Sequence, residues 1–276
     1  MAKVVLTTGA NSGIGLETAL EVAKRGYVSV GSVRSKAKAE GLRKAAADAG
    51  VDVDVVLFDV TDAAGCERAV GTVVDRHGGL YALVNNAGYG STAAIEDVTD
   101  DEARSVLETM VIGPARLARL ALPAMREAGG GRIVNVSSVY GRATTPLSGW
   151  YQAAKHALEG LSDALRMEVA GDNIQVVVVE PGGFKTGIWT EVNKDMTSNP
   201  DSRYAAAYDR TRQVIGLSSP LMGEPSVCAR VIANALDSRS PRARYLVGPD
   251  AYLMAAVMQV TPTTVMDRVT RFVMGL

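Results

Sequence analysis

Short apolar runs recur along this chain, at residues 4–8, 28–33, 53–58, 82–84, 133–136, 176–179 and 245–247. The first, Lys3-Val4-Val5-Leu6, is continuous and apolar, as a parallel strand buried on both faces must be. Helical patterns lie between the runs. The segment from Leu16 to Arg25 is one, closed by Gly26. Strands alternating with helices predict a parallel sheet covered on both faces. No internal repeat and no linker-like tract interrupts the 276 residues. The expected architecture is a single doubly wound α/β domain over residues 1–276 with a mostly parallel seven-stranded sheet. Ligands of such a sheet bind at the carboxyl ends of its strands.

Two stretches modify that pattern. Thr99-Asp100-Asp101-Glu102 is a capping box, and the helical pattern it opens runs on to about Ala128. Gly113-Pro114 falls inside it, and the proline removes a backbone donor, so a bend is expected there. Residues 187–224 turn polar and irregular, with Asn193, Ser198, Asn199 and Pro200, before a helical pattern near Tyr204 to Ile215. A connection of that length is often a lid over a ligand site and otherwise a surface insertion.

The first strand runs into Thr7-Thr8-Gly9-Ala10-Asn11-Ser12-Gly13-Ile14-Gly15, followed directly by a helix. Strand, glycine turn and helix form the setting of a dinucleotide fingerprint. Gly9 permits the tight turn, Gly13 lets backbone approach a pyrophosphate, and Gly15 lets helix and strand pack closely. The helix N-terminus adds free N–H groups and a positive dipole end. Taken alone the triplet also suits an ordinary strand-to-helix turn, because its spacing is not G-x-G-x-x-G.

Tyr151 and Lys155 are four apart, on one face of a helix, and Tyr151 follows Ser138 by thirteen residues. A free phenol titrates near ~10, too high for a good general base. An ammonium ~4 Å away at an effective dielectric of ~20 is worth ~4 kcal/mol and lowers that value. Ser138 is placed to hold a carbonyl or alcohol oxygen beside the phenol. By itself a Tyr and a Lys at this spacing is common on amphipathic helices.

With Asn85-Asn86-Ala87-Gly88 and Pro181-Gly182-Gly183-Phe184-Lys185-Thr186 added, the chain resembles the short-chain dehydrogenases/reductases. The likeness runs over about residues 3 to 190, in the subgroup with a Thr-Gly-x-x-x-Gly-x-Gly turn. It implies a Rossmann fold and hydride transfer between a nicotinamide cofactor and a carbonyl or secondary alcohol. Tyr151 is then the acid/base, Lys155 lowers its pKa and meets the nicotinamide ribose, and Ser138 positions the substrate oxygen. It assigns cofactor contacts to Gly9, Asn11, Ser12, Gly13, Ile14, Gly15, Arg34, Asp59, Val60, Asn86, Ala87, Gly88, Tyr151, Lys155, Pro181, Gly182 and Thr186. Asp59-Val60 matches the pair that meets the adenine, and Thr186 the threonine that bonds the carboxamide. The family's fourth residue, an asparagine three before the glycine of the long helix, is Met110 here. A thioether donates no hydrogen bond, so the water relay behind Lys155 needs another support, such as backbone carbonyls at the helix bend. Met110 is otherwise core filling.

The second strand ends without an acid but with Arg34, and Lys36 and Lys38 follow. An acid there would hold ribose hydroxyls, whereas arginine suits a 2′-phosphate. NADP(H) is the expected cofactor, with NAD(H) the weaker alternative.

Composition narrows the remaining classes. A net charge of −1 gives no footprint for nucleic acid. The two cysteines, Cys66 and Cys228, read as small core residues, and His77 and His156 are too few and too far apart for a metal site or a Ser-His-Asp triad. No apolar stretch is long enough to span a bilayer. Met1-Ala2-Lys3 runs straight into the first strand, so a cytoplasmic location is expected. Gly141, Leu147, Trp150, Phe184, Ile188 and Trp189 are candidate pocket walls, and residues 250–276 are rich in Met, Val and Leu. They suit a lipophilic alcohol or ketone, as likeness to steroid and retinol dehydrogenases also suggests, though core or subunit packing explains the C-terminal stretch equally. The expected partner is a small carbonyl or alcohol substrate in a homo-oligomeric enzyme. Rival readings are a nucleotide-binding regulator of the same fold and a sugar-nucleotide epimerase or dehydratase.

Overall fold

A computed structural model describes residues 3–196 and 201–276. Met1 and Ala2, and Ser198, Asn199 and Pro200 of the polar connection, lie outside the described residues, as does the side chain of Asn193. The chain alternates as its hydrophobic pattern requires: β1 (Val4–Thr7), α1 (Gly13–Lys24), β2 (Val28–Val33), α2 (Lys36–Asp48), β3 (Val53–Leu57), α3 (Ala63–His77) and β4 (Ala82–Asn85). It continues through α4 (Asp100–Leu107), α5 (Gly113–Glu127), β5 (Gly131–Val136), α6 (Gly149–Glu168) and β6 (Ile174–Pro181). Then come α7 (Ile188–Asp195), α8 (Ala205–Ser218), α9 (Pro225–Asp237), β7 (Arg244–Val247), α10 (Pro249–Val260) and α11 (Thr263–Met274).

The strands form one seven-stranded sheet in the order β3-β2-β1-β4-β5-β6-β7. Every neighbouring pair is parallel, so the expected mostly parallel sheet is wholly so. Strand order reverses between β1 and β4, and this switch point opens a crevice at the carboxyl ends. Side chains alternate between two cores. Leu6, Leu83 and Ile133 pack with Leu117, Ala121 and Met125 of α5 and with Cys66 and Val70 of α3. Val5, Val84 and Val134 pack with Val22 of α1 and with Cys228, Ile232 and Leu236 of α9. Both cysteines are free and buried, as their core reading requires.

Asn85 braces the sheet centre. Its Nδ2 donates to Asn135 Oδ1 at 2.9 Å and to the Pro114 carbonyl at 3.3 Å. Asn85 and Asn135 are register partners on β4 and β5, so the bond ties two strands and one helix where the crevice begins.

The long helix bends where Gly113-Pro114 interrupts it. A wide π turn over Glu108–Ile112 separates α4 from α5. Pro114 has no N–H to offer the carbonyl four residues earlier, that of Met110, and the wider turn accommodates the defect. The capping box at Thr99 and Glu102 is present in both directions.

Helices α7 and α8 rest on the mouth of the crevice. Val192, Met196, Ala207 and Tyr208 cluster with Ala94, Leu147 and Met274 of α11. The Tyr208 hydroxyl accepts from Ala94 N–H at 2.7 Å and donates to Asp97 Oδ2 at 2.8 Å, fixing α8 to the segment after β4. Among the described residues no helix is long and apolar enough to cross a membrane.

Candidate active site

The glycine turn is shaped by contacts with the end of β4. Gly9 and Gly13 have φ of 66° and 54°, in the left-handed region where a side chain is strained. A Cβ on Gly15 would stand 2.4 Å from the Gly9 carbonyl oxygen and 2.3 Å from Asn86 Nδ2, so no side chain fits. The Asn86 amide donates to the Thr8 carbonyl at 3.0 Å, and the Thr8 hydroxyl accepts from the Asn86 and Ala87 N–H groups, each at 2.9 Å. Thr8 thus staples the turn to Asn86-Ala87-Gly88. Helix α1 begins at Gly13 with no acidic residue in its first turn and no side-chain cap from Ser12. A helix start of this kind carries free N–H groups and a positive dipole end. Asn11 Nδ2 donates to Ser12 Oγ at 3.2 Å, Ile14 packs against the second core, and Thr186 lies against Gly13.

Just after β2, Arg34 is two-thirds exposed and lies 3.7 Å from Asp59. Burial pushes the Asp59 carboxyl up, but hydrogen bonds from Thr61 and the nearby Arg34 outweigh it and hold it below its ordinary value. Lys36 and Lys38 occupy the first turn of α2, which has no acid to balance them. Cations at the positive end of a helix are unfavourable until an anion arrives. Val60 is buried, and its carbonyl accepts from Arg116 at 2.6 Å.

At the far end of the crevice β6 closes at Pro181. Gly182 N–H donates to the Val247 carbonyl at 2.9 Å, and Gly183 N–H to Asp250 Oδ2 at 2.6 Å. A cavity of about 770 Å³ opens from this edge. Gly13, Thr186, Trp189, Arg212, Ile215 and Met222 are among its walls.

Ser138, Tyr151 and Lys155 meet beside β5. Ser138 is extended at the strand end, and its hydroxyl accepts from Tyr140 N–H at 3.1 Å. Burial pushes the Tyr151 phenol up to about 12, and a hydrogen bond with Ser138 pulls against that rise. Lys155 is buried on the next turn of α6, and its Nζ donates to the Val136 carbonyl at 2.9 Å. Desolvation brings its ammonium down to about 8, while the charge of Glu159 lifts it. Burial of the phenol is the largest influence on Tyr151, with Ser138 pulling against it. Backbone takes the ammonium's hydrogen bond, and desolvation of the phenol dominates.

Met110 is buried on the π turn, packed with Val106, Ala154, Trp150 and Tyr151. Its sulfur is 3.4 Å from where a Cβ on Gly88 would stand. Two expected pocket walls are misplaced. Phe184 is buried in the second core, over Gly223. Gly141 is buried with Ser137 Oγ and Glu159 Oε1 close by, behind the site. Leu147 is held at φ 65°, strained for a branched side chain, at the mouth.

Some residues near the site escaped the sequence reading. Tyr140 stands edge-on to Tyr151, ring centroids 6.5 Å apart. Glu159, one turn beyond Lys155 on the same face, was legible from its spacing alone. Arg142, Glu180 and Arg244 join it only through tertiary contacts.

A wholly parallel sheet with a glycine turn at its switch point, and Ser138, Tyr151 and Lys155 beside β5, is a doubly wound α/β arrangement. The chain belongs to the short-chain dehydrogenase family, whose model matches residues 3–197. A 3-ketodihydrosphingosine reductase of Bacteroides thetaiotaomicron is 31% identical over 90% of this chain and 88% of its own. A solved short-chain dehydrogenase from Streptomyces avermitilis is 33% identical over 98% of this chain and 96% of its own, with a TM-score of 0.80. L-Sorbose reductase from Gluconobacter frateurii, solved with NADPH and L-sorbose, is 30% identical over 92% of this chain and 97% of its own, TM-score 0.78.

Proposed function

We propose that this oxidoreductase is an NADP(H)-preferring reductase of a lipophilic ketone, with Tyr151 as proton donor, Ser138 as holder of the substrate oxygen and Lys155 as the charge beside them. The observation that carries the reading is the convergence of Ser138 and Tyr151, with Lys155 buried one turn behind, at the carboxyl end of β5.

The cofactor fits the residues present. The Gly9–Gly15 turn accepts no side chain at Gly15, and the α1 N-terminus offers unpaired donors to a diphosphate. Arg34, Lys36 and Lys38 offer charge to a 2′-phosphate, in line with the NADPH of the L-sorbose reductase complex. Asp59 and Val60 flank the adenine end, Asn86, Ala87 and Gly88 the ribose, and Pro181, Gly182 and Thr186 the nicotinamide end. When bound, the nicotinamide exchanges the hydride with the substrate carbon.

The rest falls to the chain's own groups. A phenol pushed up to about 12 is protonated at neutral pH, which favours donation to a carbonyl that is becoming an alkoxide. Ser138 lies against the same phenol and orients the acceptor oxygen. The buried Lys155 ammonium is positive charge in a low-dielectric site, and it stabilises the phenolate left after transfer. Residues 187–224 act as a lid, with Trp189 and Ile215 lining the cavity. The apolar mouth and the 3-ketodihydrosphingosine reductase relative support a lipophilic substrate.

The test is NADPH consumption with 3-ketodihydrosphingosine and all-trans-retinal beside L-sorbose and acetoin, together with direct binding of NADPH and NADH. Turnover confined to the small polar ketones removes the lipophilic assignment. Cofactor binding without turnover on any carbonyl favours a nucleotide-binding regulator instead.

A further inference from the structure

Gly182-Gly183 joins β6 to Thr186 and has no side chains to fix its shape. Glycine loses more freedom on ordering than any other residue, and here two stand in succession. The order is imposed from outside. Gly182 N–H donates to the Val247 carbonyl at 2.9 Å, and the Gly183 carbonyl accepts from Gly223 N–H at 3.0 Å. Lys185 N–H donates to the Gly223 carbonyl at 2.9 Å. The remaining donor of the pair, Gly183 N–H, meets a carboxylate: Asp250 Oδ2 accepts it at 2.6 Å.

Asp250 is seated for that bond. It lies in the first turn of α10, directly after Pro249. A Cβ on Gly182 would collide with its Oδ2, Cγ and Oδ1, so the carboxylate rests against the Gly182 backbone and needs glycine there. Gly248 makes room on the other side. Its φ is 106°, and a Cβ there would lie 2.6 Å from Asp250 Oδ1. Three residues beyond Gly183, Thr186 lies against Gly13 of the glycine turn, and both line the cavity of about 770 Å³. A loop free to take several shapes would present Thr186 to that cavity in several places. One tied at Gly182, Gly183 and Lys185 presents it in one.

Resting on the cofactor reading above, we propose that Asp250 is a positioning residue for the nicotinamide, acting through Gly183 to hold the Pro181–Thr186 loop in the shape that receives the ring. It acts through the backbone of the loop. The glycines are ordered before the cofactor arrives, so binding does not have to order them, which is the gain of preorganisation. An acid in the first turn of α10 also suits that helix's dipole. The readout must therefore be one that helix stability leaves unmoved.

The experiment measures affinity for two probes, NADPH and 2′-phospho-ADP-ribose, which differ at the nicotinamide end, where the second has no ring. Isothermal titration calorimetry gives Kd for wild type, Asp250→Ala, Asp250→Asn and Thr186→Val, with melting temperatures beside them. A hydrogen bond to a charged group is worth about ten- to a hundred-fold in an equilibrium. Asp250→Ala should weaken NADPH by about ten-fold or more and leave 2′-phospho-ADP-ribose within about two-fold. Asp250→Asn keeps an acceptor oxygen in the same place and should recover most of the loss. Thr186→Val should show the same selective loss as Asp250→Ala. Unchanged NADPH affinity in Asp250→Ala overturns the proposal, and so does an equal loss for both probes. If Asp250→Ala does not fold, Gly182→Ala replaces it, because the added methyl must displace the carboxylate. Wild-type affinity for NADPH in that variant overturns the proposal instead. NADPH binding intact in both Thr186→Val and Asp250→Ala takes down the nicotinamide-end reading as well. A selective loss in Thr186→Val beside an unaltered Asp250→Ala brings down this proposal alone.

Discussion

Lys155 Nζ lies 5.7 Å from the centre of the Tyr151 ring and gives its hydrogen bond to the Val136 carbonyl, 2.9 Å away. The pair is close enough to couple through charge, but the lysine is anchored by backbone. This division of labour explains how a buried ammonium keeps its place without a carboxylate in contact.

That anchoring leaves Lys155 costly to charge. Burial lowers it from its ordinary 10.5 to about 8, a difference worth about 3 kcal/mol. The folded-state value is the lower one, so the penalty is present in full below about 8 and fades as pH rises toward 10.5. Lys155→Met should therefore stabilise the cofactor-free protein at pH 7 by roughly 1–3 kcal/mol while abolishing turnover. Denaturant unfolding at pH 7 and pH 10 checks it, because the gain should shrink at the higher pH. A destabilised Lys155→Met would show that the bond to Val136 outweighs desolvation.

Tyr151→Phe removes the phenolic proton and little volume. Turnover should fall more than a hundred-fold while NADPH binds within a few-fold of wild type. A mutant that keeps a tenth of wild-type kcat would remove Tyr151 from the role of acid. The measurement is steady-state kinetics beside fluorescence titration of the cofactor.

Arg34 should carry the cofactor preference. Its side chain is exposed and paired only loosely with Asp59, so it is free to meet a 2′-phosphate. A charge-assisted phosphate contact contributes ~1.5–3 kcal/mol, or ~10–150-fold in affinity. Arg34→Ala should weaken NADPH by that range and leave NADH nearly unchanged. Equal losses for both would point to a general collapse of the adenosine site.

Met110 packs against the Tyr151 helix, and its expected role there is to fill volume. Met110→Leu should keep most of the activity, since a volume-conserving swap in a core usually costs under ~1.5 kcal/mol. Met110→Asn should either raise kcat by adding a polar relay group or lower the melting temperature through an unsatisfied amide. A large loss of kcat in folded Met110→Leu would show that the sulfur itself matters.

Local patterns carried much of this in advance. The glycine turn at Gly9 to Gly15, the strand runs and the four-residue step from Tyr151 to Lys155 are short-range features, written in adjacent residues. The bend at Gly113-Pro114 was likewise legible, because a missing N–H is a property of one residue. The pocket walls were not. Phe184 and Gly141 look like mouth residues in a linear reading, yet each is placed by residues outside its own local segment, Phe184 over Gly223 and Gly141 against Glu159.

The sequence by itself determined the alternation of strands and helices, the position of the glycine turn and the shared helix face of Tyr151 and Lys155, since each depends on helical or strand periodicity within a few residues. Only the tertiary structure decided the order β3-β2-β1-β4-β5-β6-β7 and the burial that moves Tyr151 up and Lys155 down. It also brought Arg142 and Arg244 to the carboxylates behind the site. Desolvation and charge pairing are sums over everything that surrounds a group, and in a folded chain most of those neighbours come from distant segments.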